Sequence, residues 1–166
     1  MFLVSSQFRR FVIAPSKLLQ NSLDLSKTTI YRTLPVKQIT KKWISLADYD
    51  LKSAGLMLQS RRYLYVTFMC QQSVEKYLKA IIAETTDRPP AYTHNLQVLA
   101  EITGIGFTEN QVELLSILTR HYINSRYPGV KESLSKSLTS KVANNLFTET
   151  KVIIRCLKKE LKMLTR

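Results

Sequence analysis

The sequence predicts an all-α fold, an antiparallel bundle of four to five helices. Glycine and proline number only 4 and 5 among the 166 residues, whereas β-rich folds need many turn residues. From residue 38 onward, apolar residues recur every three to four positions, the spacing of a helix with one buried face. Short connections join these segments, which favours neighbouring helices that run antiparallel.

The first three predicted helices span about residues 38 to 59, 62 to 85 and 94 to 103. The second must end before Pro89-Pro90, because a proline lacks the N–H that a helix interior needs and restricts the residue before it. Thr93 is the candidate N-cap of the third, and two glycines follow its end. The first helix carries a regular apolar stripe: Trp43, Ala47, Leu51, Ala54 and Leu58.

The fourth predicted helix begins after Thr108, because Gln111 lies three residues later and completes a capping box. It should end near Ser125, since Pro128-Gly129 follows. The fifth spans about residues 138 to 164 and has a continuous apolar stripe. Together the five segments account for about 100 of the 129 residues from 38 to 166.

Residues 1 to 37 are predicted to be a flexible basic extension, and residues 38 to 166 the bundle. Residues 1 to 42 carry eight basic residues and one acidic residue, a net charge of +7 out of +13 for the chain. Arg9 and Arg10 interrupt the apolar core that a signal peptide needs. An organellar transit peptide, or a start codon assigned too far upstream, would also explain the segment.

Several classes of site and location are disfavoured. Cys70 and Cys156 are too few and too far apart for a metal motif or a disulfide framework, and both fall on apolar faces, where we expect buried free thiols. His94 and His121 have no carboxylates at ligand spacing. No apolar run reaches the roughly 18 residues of a membrane span. We expect a cytoplasmic protein without metal or cofactor, and its basic charge suits an anionic partner.

Three polar clusters could carry function: QQSVEKYLKA at residues 71 to 80, YTHNL at 92 to 96 and HYINSRYPG at 121 to 129. Taken singly, they also suit solvated helix charges, a capping histidine and a loop anchor. Helical spacing places four residues of the first cluster on one face: Gln72, Glu75, Lys76 and Lys79. This face is either solvated surface or the wall of a site.

Together the clusters resemble the HEPN domain family in composition, order and spacing. The match begins at WISLADYDLKSAGLMLQSRRY, similar to the family's first helix, and continues through QQSVEKYLKA, THNL and YINSRYPG to about residue 162. The resemblance implies a bundle of four or five helices that often dimerises. It also implies a minimal nucleotidyltransferase as the partner, in a two-component system like a toxin and its antitoxin.

The family's ribonucleases use an arginine, a short polar spacer and a histidine. Arg126 matches the arginine, but Lys, Glu and Ser occupy residues 131 to 133, where the histidine should fall. Without that imidazole, proton transfer lacks its usual agent. Arg88 and His94 have a similar spacing, but they lie in the connection between the second and third helices, which is the wrong element for the motif.

The preferred hypothesis is a HEPN bundle, non-catalytic or catalytically reduced, that binds nucleotide or RNA phosphate. Arg126 would offer a planar fork to phosphate, His94 a hydrogen bond and a tyrosine a stacking surface. The lysines would supply positive charge. The candidate binding residues are Gln72, Lys76, Lys79, His94, Tyr122, Arg126 and Tyr127.

Two alternatives belong to other functional classes. The first is a ribonuclease toxin with an irregular site, in which Arg126 acts with His94 or His121. The second is an interaction module whose polar face forms a dimer seam, with Glu75 paired to a lysine of the other subunit. Such a seam needs every charge paired, because an uncompensated buried charge is costly.

Overall fold

The computed structural model describes residues 36–86 and 89–165, and every regular element there is a helix. The predicted all-α bundle is confirmed. The extension predicted over residues 1 to 37 lies outside the described residues, apart from its last two positions. The helices are α1 (Gln38–Gln59), α2 (Tyr63–Thr85), α3 (Leu96–Thr103), α4 (Glu109–Asn124), α5 (Pro128–Ser137) and α6 (Ser140–Leu164).

The caps explain where α3 and α4 begin. Asn95, not Thr93, is the N-cap of α3, because its side chain accepts hydrogen bonds from the backbone N–H groups two and three residues later, at 3.0 and 3.3 Å. Thr93 instead accepts the N–H of Asn95 at 3.1 Å. The prediction of Thr93 as the cap was therefore wrong by two residues. The capping box of Thr108 and Gln111 is present as predicted.

The helix α5 was not predicted. Pro128 was expected to end the fourth helix, and it also occupies the first turn of the next one. Proline suits that position because the first N–H groups of a helix have no partner within it. The last helix accordingly begins at Ser140 rather than 138, with Thr139 as its N-cap.

The centre of the bundle is α2, which packs against each of the other five helices. Fifteen of its 23 residues are buried. The close approach of α1 depends on small residues, since Ala47 and Ala54 are fully buried and the Ser73 hydroxyl donates to the Ala47 carbonyl at 2.7 Å. Because other helices surround α2, few of its polar side chains can remain in contact with water.

The two cysteines differ in environment. Cys70 is buried in the core as predicted, and this burial raises the pKa of its thiol to about 12 although Thr150 lowers it somewhat through a hydrogen bond. Cys156 is exposed on α6, so the prediction that both thiols are buried was wrong for this one. Its position flanks the apolar stripe of α6 without belonging to it: the neighbouring Leu157 is fully buried.

Candidate functional site

Two of the four residues on the polar face of α2, Glu75 and Lys79, are buried, and Gln72 and Lys76 are half-buried. The side chains of Glu75 and Lys79 are only 6% and 10% exposed. The Trp43 ring of α1 lies 5.7 Å from the Lys79 ammonium, and His94 of the α2–α3 connection contacts Glu75. Two other parts of the chain therefore reach residues whose spacing alone suggested an outward face.

Glu75 is the centre of a hydrogen-bonded ion-pair network. Its Oε1 accepts from Lys79 Nζ at 2.8 Å, and its Oε2 accepts from Gln71 Nε2 at 2.9 Å. The Nδ1 of His94 lies 3.0 Å from Oε2. Burial by itself raises the pKa of Glu75, but the hydrogen bonds from these three partners outweigh it and hold the pKa below its usual value. Glu75 is thus an ionised carboxylate whose two oxygens both have hydrogen-bond partners.

Lys76 belongs to a second ion pair on the same helix. Its ammonium contacts the Asp50 carboxylate of α1 and donates to the Gln72 amide oxygen at 3.1 Å. Lys76 and Lys79 therefore each have a carboxylate partner, and neither adds net positive charge to its surroundings. The alternative of a dimer seam assumed that Glu75 pairs with a lysine of the other subunit. Lys79 of the same chain already forms that ion pair, so this pairing no longer supports the alternative.

A cluster of rings and one cation lies beside this network. The Arg126 guanidinium carbon is 4.0 Å from the centre of the Tyr122 ring. The rings of His94 and Phe68 lie 5.1 and 5.3 Å from the same ring, both tilted relative to it. The structure thus brings together three of the candidate residues, His94, Tyr122 and Arg126. We call these three residues and Phe68 the Arg126 cluster.

Local geometry explains how Arg126 reaches Tyr122. The two residues are four apart, the spacing that places side chains on one helical face. The turn continues past the end of α4, because the Ser125 N–H donates to the His121 carbonyl at 2.9 Å and the Arg126 N–H to that of Ile123 at 3.1 Å. The guanidinium therefore folds back over the ring.

Arg126 is an exposed cation held in place by a buried ring. No carboxylate in residues 36–86 or 89–165 lies within ion-pair distance of it. Tyr122 is only 3% exposed, so it supports the guanidinium and does not offer a face to a base. Tyr127 is 60% exposed and is the tyrosine that could stack on a ligand. The cluster can present a planar, positively charged fork to an anion.

His94 is the histidine with the environment of a proton acceptor. Its side chain is 55% exposed and its Nδ1 faces the ionised Glu75. Because Nδ1 must donate its proton to that carboxylate, the other ring nitrogen is the acceptor in the neutral imidazole. His121 is different: burial, with the nearby Arg120 charge, lowers its pKa, and within the described chain its Nδ1 has no hydrogen-bond partner.

Sequence reasoning missed three members of the site. Gln71 precedes the predicted polar face, but its paired-glutamine motif was a usable signal. Asp50 was also visible, since it lies in WISLADYDLKSAGLMLQSRRY, the stretch that resembles the family's first helix. Phe68 carries no local signal, because only the packing of α4 against α2 shows that it contacts Tyr122.

Two findings bear on other classes of site. Among the described residues, no group of three or more histidine, cysteine, aspartate or glutamate side chains could hold a metal ion. None of the helices that the structure describes is long and apolar enough to cross a membrane.

Comparison with known proteins gives two matches. The sequence model of the HEPN domain matches residues 40–161. The crystal structure of TT1696 from Thermus thermophilus is similar in fold, with a TM-score of 0.64 and 21% sequence identity over 74% of this chain and 98% of that chain. No curated protein matches the sequence.

Proposed function

Because this chain belongs to the HEPN domain family, we propose that it binds the phosphate of a nucleotide or of RNA through Arg126. The observation that supports this proposal is the exposed Arg126 guanidinium, stacked 4.0 Å from the Tyr122 ring centre. Among the described residues it has no carboxylate partner. A stacked guanidinium loses less conformational freedom when it binds an anion, so more of the interaction energy appears as affinity.

The other candidate residues have supporting roles in this proposal. His94 donates or accepts a hydrogen bond at the edge of the cluster, and Tyr127 stacks on a base. Lys79 acts indirectly by neutralising Glu75, which would otherwise repel a phosphate near His94. Lys76 neutralises the Asp50 carboxylate in the same way, and Gln72 accepts a hydrogen bond from the Lys76 ammonium.

Binding of labelled ATP and of a labelled RNA oligonucleotide tests the proposal. Arg126→Ala should weaken binding by about 1.5–3 kcal/mol, the range for a hydrogen bond to a charged group. Arg126→Lys should restore only part of the affinity, since an ammonium keeps the charge and loses the planar fork. Arg120→Ala is the matched control, an exposed arginine of α4 outside the cluster. Equal affinities of wild type and Arg126→Ala would overturn the proposal.

A ribonuclease is the second candidate, and the Glu75–His94 contact favours it. A carboxylate bonded to Nδ1 orients an imidazole and stabilises its protonated form, as in hydrolase active sites. In this mechanism His94 takes the proton of an RNA 2′-hydroxyl, whose oxygen attacks the adjacent phosphorus. The bond to the 5′-oxygen breaks, that oxygen takes a proton from water, and Arg126 stabilises the charge on the phosphate.

Incubation of labelled RNA with purified protein and a metal chelator distinguishes the two candidates. The ribonuclease requires cleavage that both His94→Gln and Arg126→Ala abolish, with cyclic phosphate ends on the products. His121→Gln is the control, because it removes the other histidine of the chain. Binding without cleavage supports the first proposal and rejects the second.

We also propose that the protein forms a homodimer and acts with a minimal nucleotidyltransferase, in a system like a toxin and its antitoxin. Exposed apolar residues along α1 support the dimer. Successive members are seven, three and seven residues apart, the spacing of the contact face of a helix that packs against a second helix in a coiled coil. They are Ile39, Leu46, Tyr49 and Leu56, each 48–70% exposed.

Sedimentation equilibrium tests the dimer, and co-purification with a nucleotidyltransferase encoded beside this chain tests the partner. Leu46→Glu should shift a dimer toward monomer, because it places a charge in the seam. A wild-type protein that stays monomeric at high concentration would reject the dimer. The absence of a stable complex after co-expression would reject the partner.

A further inference from the structure

A basic groove opens at the N-terminal end of α2, about ten residues before Glu75 along the helix. It lies between the α1–α2 turn, the start of α2 and α5, and has a volume of about 570 Å³. Cavities of this size commonly hold small ligands. Its lining includes Arg61 and Arg62 of the turn, Tyr63 and Tyr65 of α2, and Lys131 of α5.

The groove carries an excess of positive charge. Three cations line it against one acid, Glu132, and that carboxylate accepts from Lys136 at 2.8 Å. In the described part of the chain, no carboxylate forms an ion pair with Arg61, Arg62 or Lys131. The Lys131 ammonium lies 5.8 Å from the Tyr65 ring centre. Cations interleaved with exposed aromatic rings are typical of surfaces that bind single-stranded nucleic acid.

Arg61 occupies a backbone position that normally selects glycine. Its φ is +57°, and among the described residues it is the one non-glycine with a positive φ. The turn is a Schellman motif, because the Arg62 N–H donates to the Met57 carbonyl at 2.8 Å and the Arg61 N–H to that of Leu58 at 3.1 Å. An arginine here is unfavourable for the backbone, and such strain beside a basic groove points to a role for the side chain.

The groove and the Arg126 cluster are neighbours along the chain, because Pro128, which lines the groove, follows Arg126 by two residues. Tyr65 lines the groove, and Phe68, three residues later on the same helical face, contacts Tyr122. Three residues of helix span about 4.5 Å. From Arg62 to Phe68 the distance along the helix is about 9 Å, which corresponds to about three nucleotides of a stacked strand at about 3.4 Å each.

We propose that this groove and the Arg126 cluster form one track that binds a single strand of nucleic acid several nucleotides long. This inference rests on the proposed phosphate site at Arg126 and extends it from one phosphate to a chain of them. Arg61, Arg62 and Lys131 contact successive phosphates, and Tyr63 and Tyr65 stack on bases. The alternation of rings and cations favours nucleic acid over an acidic protein as the ligand.

The test compares fluorescently labelled oligouridylates of one, three and about nine nucleotides, of which only the longest falls within the roughly 4–16 nucleotides of a single-strand binding site. Affinity should rise with length. The double variant Arg61→Gly/Lys131→Gln should bind the longest probe about 4- to 25-fold more weakly, at about two- to fivefold for each exposed charge. Its binding of the single nucleotide should not change. Lys159→Gln, an exposed lysine of α6 outside the groove, should bind every probe like the wild type.

Salt dependence provides a second measurement. The slope of log affinity against log salt for the longest probe should fall by about 0.7 for each phosphate contact removed, so by about 1.4 in the double variant. Arg61→Gly alone should keep or raise the melting temperature, since glycine relieves the positive φ. The double variant should keep the melting temperature of the wild type, and this result would exclude misfolding as the cause of its weaker binding.

The outcomes separate the two proposals. Unchanged binding of the longest probe by the double variant, with Arg126→Ala still defective, would overturn the track and leave the phosphate site. Loss of affinity in Arg126→Ala for the single nucleotide, together with loss in the double variant for long probes only, would support both. Equal binding of labelled polyglutamate and of the nine-nucleotide probe would overturn the assignment to nucleic acid.

Discussion

Replacing Lys79 with methionine should destabilise the bundle far more than the loss of an ordinary surface ion pair. Methionine keeps an unbranched side chain of similar length, so the main change is the loss of the ammonium bonded to Glu75 at 2.8 Å. The Glu75 side chain is 6% exposed, so water cannot replace this donor. An uncompensated buried charge costs about 3–5 kcal/mol of unfolding free energy.

The structure narrows the expected loss of unfolding free energy for Lys79→Met. Gln71 and His94 still bond to the carboxylate in the variant, which places the expected loss near 3 kcal/mol, the lower end of about 3–5. The double variant Glu75→Gln/Lys79→Met removes both charges and should cost less than the single variant, since replacing a whole buried pair is often neutral. The double-mutant cycle should therefore give a coupling energy of about 2 kcal/mol or more.

Urea unfolding at neutral pH, followed by circular dichroism, measures these free energies. The matched control is Lys136→Met, which breaks a Glu–Lys pair of the same spacing and length on α5. Its side chains are 75% and 72% exposed, so the expected loss is about 0.5 kcal/mol at most. A loss below about 1 kcal/mol for Lys79→Met, similar to that of the control, would refute the reasoning that burial sets the cost.

Three further predictions follow from burial. Leu157→Ala should cost about 2–5 kcal/mol in the same unfolding assay, because Leu157 is fully buried; a cost near zero would contradict its place in the core. Iodoacetamide should modify Cys156 in the folded protein and Cys70 only after unfolding, since burial raises the pKa of Cys70 to about 12. Equal rates of modification of the two cysteines in the folded protein, measured by mass spectrometry, would contradict this. The pKa of Glu75 is lowered in the folded state. Its contribution to the free energy of unfolding should therefore be complete above the unfolded-state pKa of about 4.3, and should decline as the pH falls through the folded-state pKa. Urea unfolding of Glu75→Gln across acid pH should lack this part of the pH dependence.

Local signals were sufficient to predict most helices but not α5. Hydrophobic spacing and the capping box at Thr108 depend on residues close in sequence, so they can be recognised without a structure. Pro128 was ambiguous, because proline both follows the end of one helix and starts the next. The segment also has few apolar residues, since Val130 and Leu134 are the only large aliphatic side chains among its ten residues.

The candidate site shows the same division between local and distant contacts. The four-residue spacing of Tyr122 and Arg126 made their contact predictable. The spacing within α2 correctly placed Glu75 and Lys79 on one face, but it could not show that this face is buried. That burial comes from α1 and from the connection before α3, whose Trp43 and His94 are distant in sequence.

The two walls of the basic groove differ in how readily they unfold. Its α2 wall belongs to the most buried helix, so that wall opens only with the bundle, whereas α5 buries none of its residues fully and can open locally. Amide hydrogen exchange should therefore be fast in α5 and slow in α2. A nucleic-acid strand bound to Lys131 would stabilise α5 by mass action. Conversely, local unfolding of α5 would release the Lys131 contact, so the stability of α5 would set how long the strand stays bound.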